Sequence, residues 1–166
     1  IYQEGLVELI EMKEDVYCHS KYYYAFQKYG KDKDIVLCDD DVIYYKDWLA
    51  ELYDCSKKYS DYNVFAYKAA EVTLEKGVIL PYDNWIHCDK DHRGENKLLY
   101  VEAVGGVLYR RSSMLQETLN KEVFLNLVPK ADDVWLWFCS YLNKNKIKFI
   151  LPVNNAKLLY TIPNSQ

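Results

Sequence analysis

The sequence is organised around one stretch, Ile35-Val36-Leu37-Cys38-Asp39-Asp40-Asp41-Val42-Ile43-Tyr44. Its apolar first half is typical of a buried β-strand, and three consecutive carboxylates follow it directly. Burying unpaired carboxylates costs a large amount of free energy, so these three must face water or a cation. Because side chains alternate along an extended chain, Asp39 and Asp41 are expected on one side and Asp40 on the other. The pattern predicts a divalent metal site at a strand tip, with a solvated acidic turn as the alternative.

Length and composition indicate one globular domain. The chain has 166 residues, of which 50% are hydrophobic and 28% are charged, and this is enough for one sizeable core. The net charge of −4 argues against nonspecific binding to nucleic acid or to an anionic membrane surface. None of the five cysteines forms a Cys-x-x-Cys pair, so a reducing, cytoplasmic compartment is expected. No apolar run approaches the ~18 residues of a membrane-spanning helix.

The order of the predicted elements indicates an α/β fold. Apolar periodicity and glycine positions predict helices at 21–29, 47–58 and 134–142, with one or two short helices in 114–128. Short apolar runs predict strands at 6–10, 35–38, 63–67 and 147–151. This alternation predicts a mostly parallel sheet with flanking helices, and the polar tail from residue 154 is expected to be peripheral.

Further features carry candidate chemistry. The long excursion over residues 75–96 contains Trp85, and long loops in compact domains are often functional. A Gly105-Gly106 pair inside an apolar run predicts a bulge or a close approach of the backbone to a ligand. Asp132-Asp133 opens a predicted helix, where the helix dipole alone would favour acids. The 17 tyrosines can pack as core or can form stacking surfaces for sugars and bases.

Five short motifs follow one another along the chain in a recognisable order. They are Ile-Val-Leu-Cys-Asp-Asp-Asp-Val-Ile-Tyr at 35–44, Ala-Tyr-Lys-Ala at 66–69, Pro-Tyr-Asp-Asn-Trp at 81–85, Gly-Gly-Val-Leu-Tyr at 105–109 and Ala-Asp-Asp-Val-Trp at 131–135. Together with Asp15 and Lys21, this pattern resembles the bacterial family-2-like glycosyltransferases that have a GT-A fold. The resemblance implies that residues 1–166 are a single domain, the C-terminal two-thirds of such a catalytic domain. The N-terminal nucleoside-binding strands of that domain would then lie before Ile1.

The resemblance also implies a reaction, namely metal-dependent transfer of a sugar from a nucleotide-sugar to a saccharide or lipid-linked acceptor, with inversion. The metal, Mn²⁺ or Mg²⁺, would be bound by Asp39 and Asp41. Asp133, or its neighbour Asp132, would be the general base that takes the proton of the acceptor hydroxyl. A lipid-linked acceptor would add a peripheral location at the inner face of the membrane. The resemblance indicates no oligomeric state.

The remaining roles implied by the resemblance concern the two substrates. The residues expected to bind the donor are Lys21, Asp39, Asp40, Gly105 and Gly106. The residues expected to bind the acceptor are Trp85 and Tyr109. Some members of the family use a late histidine as a further metal ligand, but no histidine follows His92 in this chain.

Two other interpretations of the carboxylates remain open. The chain could be a truncated, non-catalytic sugar-binding domain. It could also be a phosphatase of the haloacid dehalogenase type, in which the first Asp of an Asp-x-Asp is the nucleophile. The phosphatase is the weaker alternative because its late acidic pair sits at a strand end, whereas Asp132-Asp133 begins a predicted helix. A zinc site at His87, Cys88 and His92 is disfavoured because the spacing fits no standard set of four ligands.

Overall fold

The computed structural model describes residue 5 and residues 7–94, 98–111, 113–114, 116–153 and 159–161. The four α-helices are α1 (Ser20–Tyr29), α2 (Trp48–Lys58), α3 (Lys121–Leu127) and α4 (Asp132–Leu142). Single turns of 3-10 helix lie at Tyr17–His19, Tyr82–Asn84, Ala103–Gly105 and Gln116–Leu119. Within these described ranges, no helix is both long and apolar enough to cross a membrane.

The strands are short, and the structure assigns eleven of them among its described residues. The first six are β1 (Ile35–Leu37), β2 (Val42–Tyr44), β3 (Val64–Ala66), β4 (Ala69–Glu71), β5 (Leu74–Glu75) and β6 (Val78–Ile79). The other five are β7 (Ile86–His87), β8 (Leu99–Val101), β9 (Val107–Tyr109), β10 (Ile147–Phe149) and β11 (Leu159–Thr161).

The central sheet has four strands in the order β1-β9-β3-β10. Strand β9 pairs antiparallel with both β1 and β3, while β10 pairs parallel with β3. Strands β1, β3 and β10 therefore run in one direction, as the strand–helix–strand alternation predicts. The prediction of a mostly parallel sheet is nevertheless wrong, because β9 lies between β1 and β3 in the opposite direction. The chain leaves this sheet at Ala66, the last residue of β3, and re-enters it beside that residue at Val107, so β9 runs back antiparallel and the alternation rule does not apply to it.

The central sheet is covered on both faces. Along β3 and β9 the side chains alternate, so that Val64 and Val107 face one hydrophobic cluster while Phe65 and Leu108 face another. Helices α1 and α4 supply the first cluster and α2 supplies the second. Two-sided burial explains why these strands are apolar at every position rather than at alternate positions.

The excursion between β3 and β9 forms a second layer outside the central sheet. A three-stranded antiparallel sheet has the order β7-β4-β8, and β5 pairs with β6 in a hairpin. Strand β2 pairs antiparallel with β11. The apolar run at 101–110 is divided among β8, the Ala103–Gly105 turn and β9, so the chain is interrupted at the glycine pair. The predicted strand at 6–10 is wrong for residues 7–10, which have no regular structure, and Leu6 lies outside the described residues.

Gly106 explains the break between β8 and β9. Its φ of +89° is a conformation that side chains disfavour, and a Cβ built there would lie 2.5 Å from Cζ2 of Trp48. The Trp48 indole also donates a hydrogen bond of 3.1 Å from Nε1 to the carbonyl oxygen of Gly105. The close backbone approach predicted for the glycine pair is thus made to the first residue of α2.

We predict that Gly106→Ala destabilises the protein more than Gly77→Ala does. Both glycines have positive φ, but a Cβ at Gly77, in the turn of the β5–β6 hairpin, would meet no atom within 4 Å. The difference between the two losses of unfolding free energy isolates the clash with Trp48. Overpacking of this kind is expected to cost about 1–3 kcal/mol. Urea unfolding of the two variants measures it, and equal losses of unfolding free energy would show that the contact is not tight.

Candidate active site at the edge of the central sheet

The register of β1 and β9 brings two of the predicted motifs together. Leu37, the last residue of β1, pairs with Val107, the first residue of β9. The carboxylates that follow β1 therefore lie beside the Ala103–Gly106 segment that precedes β9. Residues that are more than sixty positions apart in the sequence share one edge of the sheet, at the carboxyl end of β1, where α/β proteins commonly bind ligands.

A tyrosine joins the strand tip to the glycine segment. The backbone N–H of Asp39 donates a hydrogen bond of 2.9 Å to the Tyr44 hydroxyl, and that hydroxyl donates one of 3.0 Å to the Val104 carbonyl. The Tyr44 ring also packs on Trp48, with 4.3 Å between the ring centroids. Burial raises the pKa of Tyr44 to about 12, so its hydroxyl stays protonated and can continue to donate. This role of Tyr44 could not be predicted, because nothing in the sequence shows that Val104 is near.

Lys21 joins the strand tip to the start of α4. Its ammonium group forms an ion pair with Oδ1 of Asp39 and lies 3.7 Å from Oδ2 of Asp132. Burial by itself would lower the pKa of Lys21, but the Asp39 hydrogen bond and the charges of Asp132 and Asp133 raise it above its usual value. Lys21 is thus a permanent cation among carboxylates from two distant segments.

Hydrogen bonds from buried side chains hold the first turns of α1 and α4 in place. Nε2 of His19 donates to the Val128 carbonyl at 2.8 Å, and its Nδ1 lies 3.0 Å from the Tyr22 hydroxyl. The Trp135 indole donates to the Thr118 carbonyl at 3.0 Å. The His19 bond connects the segment before Lys21 to the loop before Asp132, and the Trp135 bond ties α4 to the Gln116–Leu119 turn. The spacing between Lys21 and Asp132 is therefore supported by largely buried groups.

Asp133 lies in the first turn of α4 and faces the turn that precedes the glycines. Its two carboxylate oxygens accept from the backbone N–H of Ala103, at 3.2 and 3.3 Å. Burial, reinforced by the charge of Asp132, raises the pKa of Asp133 to about 7. A half-buried carboxyl group that titrates near neutral pH is suited to take a proton from a hydroxyl group. The plain dipole explanation for an acid at a helix start does not account for this raised pKa, because a helix N-terminus favours the charged form.

The fit of a divalent cation can be judged from the donor set. No group of three His, Cys, Asp or Glu side chains that could hold a metal ion occurs among the residues that the structure describes, and this includes the segment with His87, Cys88 and His92. Asp40 is exposed and Asp41 is half-buried in the turn after Asp39. A site of one or two carboxylates does fit Mg²⁺ or Mn²⁺, because these ions commonly take their other ligands from water and substrate phosphates. It does not fit a closed structural zinc site.

The two residues expected to bind the acceptor occupy different environments. Trp85 is half-buried in the excursion and donates from Nε1 to the Leu80 carbonyl at 2.8 Å. Tyr109 is only 3% exposed, and its ring packs edge-on against Phe26 in the core. The acceptor role of Tyr109 stays a prediction that would require the surrounding core to open.

No family model, no curated protein and no solved structure matches this chain. Any functional assignment therefore depends on the sequence motifs and on the geometry of the described residues. Seven of the expected site residues come from four separate segments that meet at one edge of the central sheet. They are Lys21, Asp39, Gly105, Gly106, Asp132, Asp133 and Asp41, which lies in the same turn as Asp39.

We predict that Asp133→Asn stabilises the protein at pH 8 by about 2–4 kcal/mol. The folded pKa of about 7 lies above the ordinary value of 3.8, so protonation of Asp133 favours the folded state at acid pH. That contribution is lost as the pH rises through 7, and an uncharged amide avoids the loss. The stabilisation should therefore shrink towards zero near pH 4.

Urea unfolding at the two pH values measures this effect, with Asp54→Asn as the control. Asp54 is an exposed carboxylate on α2, and its substitution gives the baseline for removing one surface carboxylate, against which the variant at position 133 is compared. A variant at position 133 that is no more stable than the parent at pH 8 would contradict the raised pKa.

Proposed function

We propose that this chain carries the active site of a cytoplasmic, metal-dependent glycosyltransferase of the GT-A type. It would transfer a sugar from a nucleotide-sugar to a saccharide or lipid-linked acceptor with inversion of the anomeric carbon. The observation that supports this most strongly is the meeting of Asp39, the Gly105-Gly106 segment and Asp133 at one sheet edge. These residues belong to the three motifs on which the family resemblance depends.

Asp133 is the proposed general base. The acceptor hydroxyl loses its proton to this carboxylate while its oxygen forms a bond to the anomeric carbon of the donor sugar. In the same step the bond between that carbon and the diphosphate oxygen breaks, and the nucleoside diphosphate leaves with the bonding electrons. A carboxyl group with a pKa of about 7 is largely ionised slightly above neutral pH and is still basic enough to accept the proton.

Asp39 and Asp41 are the proposed ligands of the divalent cation. Bound there, Mn²⁺ or Mg²⁺ would offset the negative charge on the leaving diphosphate. Lys21 adds a second positive charge at the same place, because its ammonium group already lies against Asp39. It can turn towards a phosphate oxygen without leaving the neighbourhood of Asp132, which balances its charge. Asp40, exposed between the two ligands, is free to contact a hydroxyl group of the donor.

The glycine pair has a role in packing within the protein as well as a proposed role beside the donor sugar. The missing Cβ of Gly106 gives room to the Trp48 ring, so the close approach at this residue is explained within the protein. The backbone of Ala103 to Gly106 nevertheless borders both the Asp39 tip and Asp133. A donor sugar held between metal-bound diphosphate and general base would lie along this segment.

The phosphatase alternative gains no support. It requires the late acidic pair at a strand end, whereas Asp132 and Asp133 occupy the first turn of α4.

We predict that Asp133→Asn abolishes sugar transfer and leaves donor binding unchanged. The amide cannot take a proton but has a similar size, so loss of a general base should lower kcat by a factor of about 10²–10⁴. Release of nucleoside diphosphate from a panel of nucleotide-sugars, with saccharide acceptors present, measures transfer in the longest natural form of the protein. Retention of full transfer by this variant would exclude Asp133 as the base.

We predict that Asp41→Ala loses the increase in melting temperature that Mn²⁺ plus a nucleoside diphosphate gives the parent protein. Removing a carboxylate ligand weakens the metal, and with it the diphosphate that the metal holds. Differential scanning fluorimetry with Mn²⁺ and uridine, guanosine or thymidine diphosphate measures the shift. Asp54→Ala, on the exposed side of α2, is the matched control and should keep the full shift. An undiminished shift in the Asp41 variant would show that Asp41 is not a ligand.

A further inference from the structure

Three aromatic side chains form an open cluster in the excursion between β3 and β9. The rings of Tyr82, Trp85 and Tyr100 contact one another edge to face, with centroid distances of 5.3 Å for both Tyr82–Trp85 and Trp85–Tyr100. Tyr82 is 40% exposed, and the other two are half-buried. These three residues are called the aromatic platform below. Core packing does not account for them, because none belongs to the two clusters of the hydrophobic core.

The aromatic platform lies next to the proposed general base. Tyr100 packs on Trp137 of α4, with 6.3 Å between the ring centroids, and Asp133 precedes Trp137 by one helical turn on the same face. Tyr100 is also three residues before Ala103, whose N–H donates to Asp133. The pKa of Tyr100 is raised, first by its burial and then by the nearby negative charge of Asp133.

A pair of charged groups borders the aromatic platform. Glu102 accepts a hydrogen bond of 2.8 Å from the Tyr82 hydroxyl and forms an ion pair of 2.6 Å with Lys68. The Glu102 side chain is only 14% exposed, while that of Lys68 is 44% exposed. The surface therefore combines aromatic carbon with an anchored carboxylate and an accessible ammonium group.

We infer that the aromatic platform binds a sugar ring of the acceptor, so that the acceptor is a saccharide and not a bare lipid phosphate. A pyranose has an apolar C–H face that stacks on aromatic rings and hydroxyl groups that bond to charged and polar side chains. The platform borders Asp133 through Trp137 and through the Tyr100–Ala103 segment, so a sugar ring stacked there would present its hydroxyl groups to the proposed base. The Glu102–Lys68 pair disfavours an acyl chain, because burying those groups against hydrocarbon would be costly. This inference rests on the proposed function, since it takes Asp133 to be the base that accepts the acceptor's proton.

Direct binding tests the inference without any turnover. The probes are free mono- and disaccharides, including glucose, galactose, mannose, rhamnose and N-acetylglucosamine, added at up to tens of millimolar. Saturation-transfer NMR detects the bound sugar, and its titration with sugar gives the affinity of the parent and of every variant, including the one that lacks Trp85. We predict that at least one saccharide binds the parent chain, and that Tyr82→Ala and Trp85→Ala each weaken it by about tenfold or more.

Two control variants separate stacking from other effects. Tyr53→Ala removes a tyrosine that is 48% exposed on α2, on the opposite face of the central sheet from α4, and should bind the sugar as the parent does. Tyr82→Phe keeps the ring but loses the bond to Glu102, so it should bind more weakly than the parent and more tightly than Tyr82→Ala. Circular dichroism confirms that each variant is folded, and the exposed position of Tyr82 makes loss of folding there unexpected.

The outcomes distinguish this inference from the proposed function. If no saccharide binds, or if it binds equally to the parent and to the Tyr82 and Trp85 variants, the aromatic platform is not a sugar site. The response to Mn²⁺ plus nucleoside diphosphate could persist in that case, and then only the acceptor inference falls. If sugar binding persists but that response is absent from the longest natural form, the proposed transferase falls and the sugar site stands.

Discussion

The antiparallel pairing of β9 with β1 is the constraint on which the candidate site depends. It sets Leu37 opposite Val107, and from that register the carboxylates after β1 must lie beside the turn that carries Gly105 and Gly106. In the same segment, the Trp48 ring of α2 occupies the space that a side chain at position 106 would take. Without the reversed strand, the two motifs would have no reason to meet, because a parallel strand would present its other end at this edge.

Electrostatics gives the assembled site its chemical character. Three carboxylates, those of Asp39, Asp132 and Asp133, gather around the single ammonium group of Lys21. The ammonium group neutralises only part of their combined negative charge, and Asp133 is held in partial burial with Asp132 beside it. The raised pKa of Asp133 is the direct consequence, because a like charge and desolvation both favour its protonated form. A surplus of negative charge at a strand tip is also the field in which a divalent cation with phosphate ligands binds best.

Much of this arrangement could be predicted from the sequence, and the missing part has physical causes. Helices α1 and α2 were predicted to within a residue, because their apolar faces and the end at Gly30 are local signals. The motifs also predicted that Asp39, the glycine pair and Asp133 belong to one site. The reversed direction of β9 could not be predicted, since strand pairing is decided by non-local packing. The link made by Tyr44 and the support from buried His19 depend on carbonyl groups of Val104 and Val128, which only the folded chain brings near.

The central claim is that the carboxylates after β1 hold a metal-bound diphosphate and that the acid at the start of α4 lies across the donor-sugar site from it. An anomalous difference map from crystals of the longest natural form, grown with Mn²⁺ and a nucleoside diphosphate, tests it most directly. The account predicts one Mn²⁺ peak bound by carboxylate oxygens of Asp39 and Asp41, with phosphate oxygens completing its ligands and space for a sugar ring between the diphosphate and Asp133. A peak elsewhere, for example at Glu71 and His92, with Asp39 still paired to Lys21, would contradict the account.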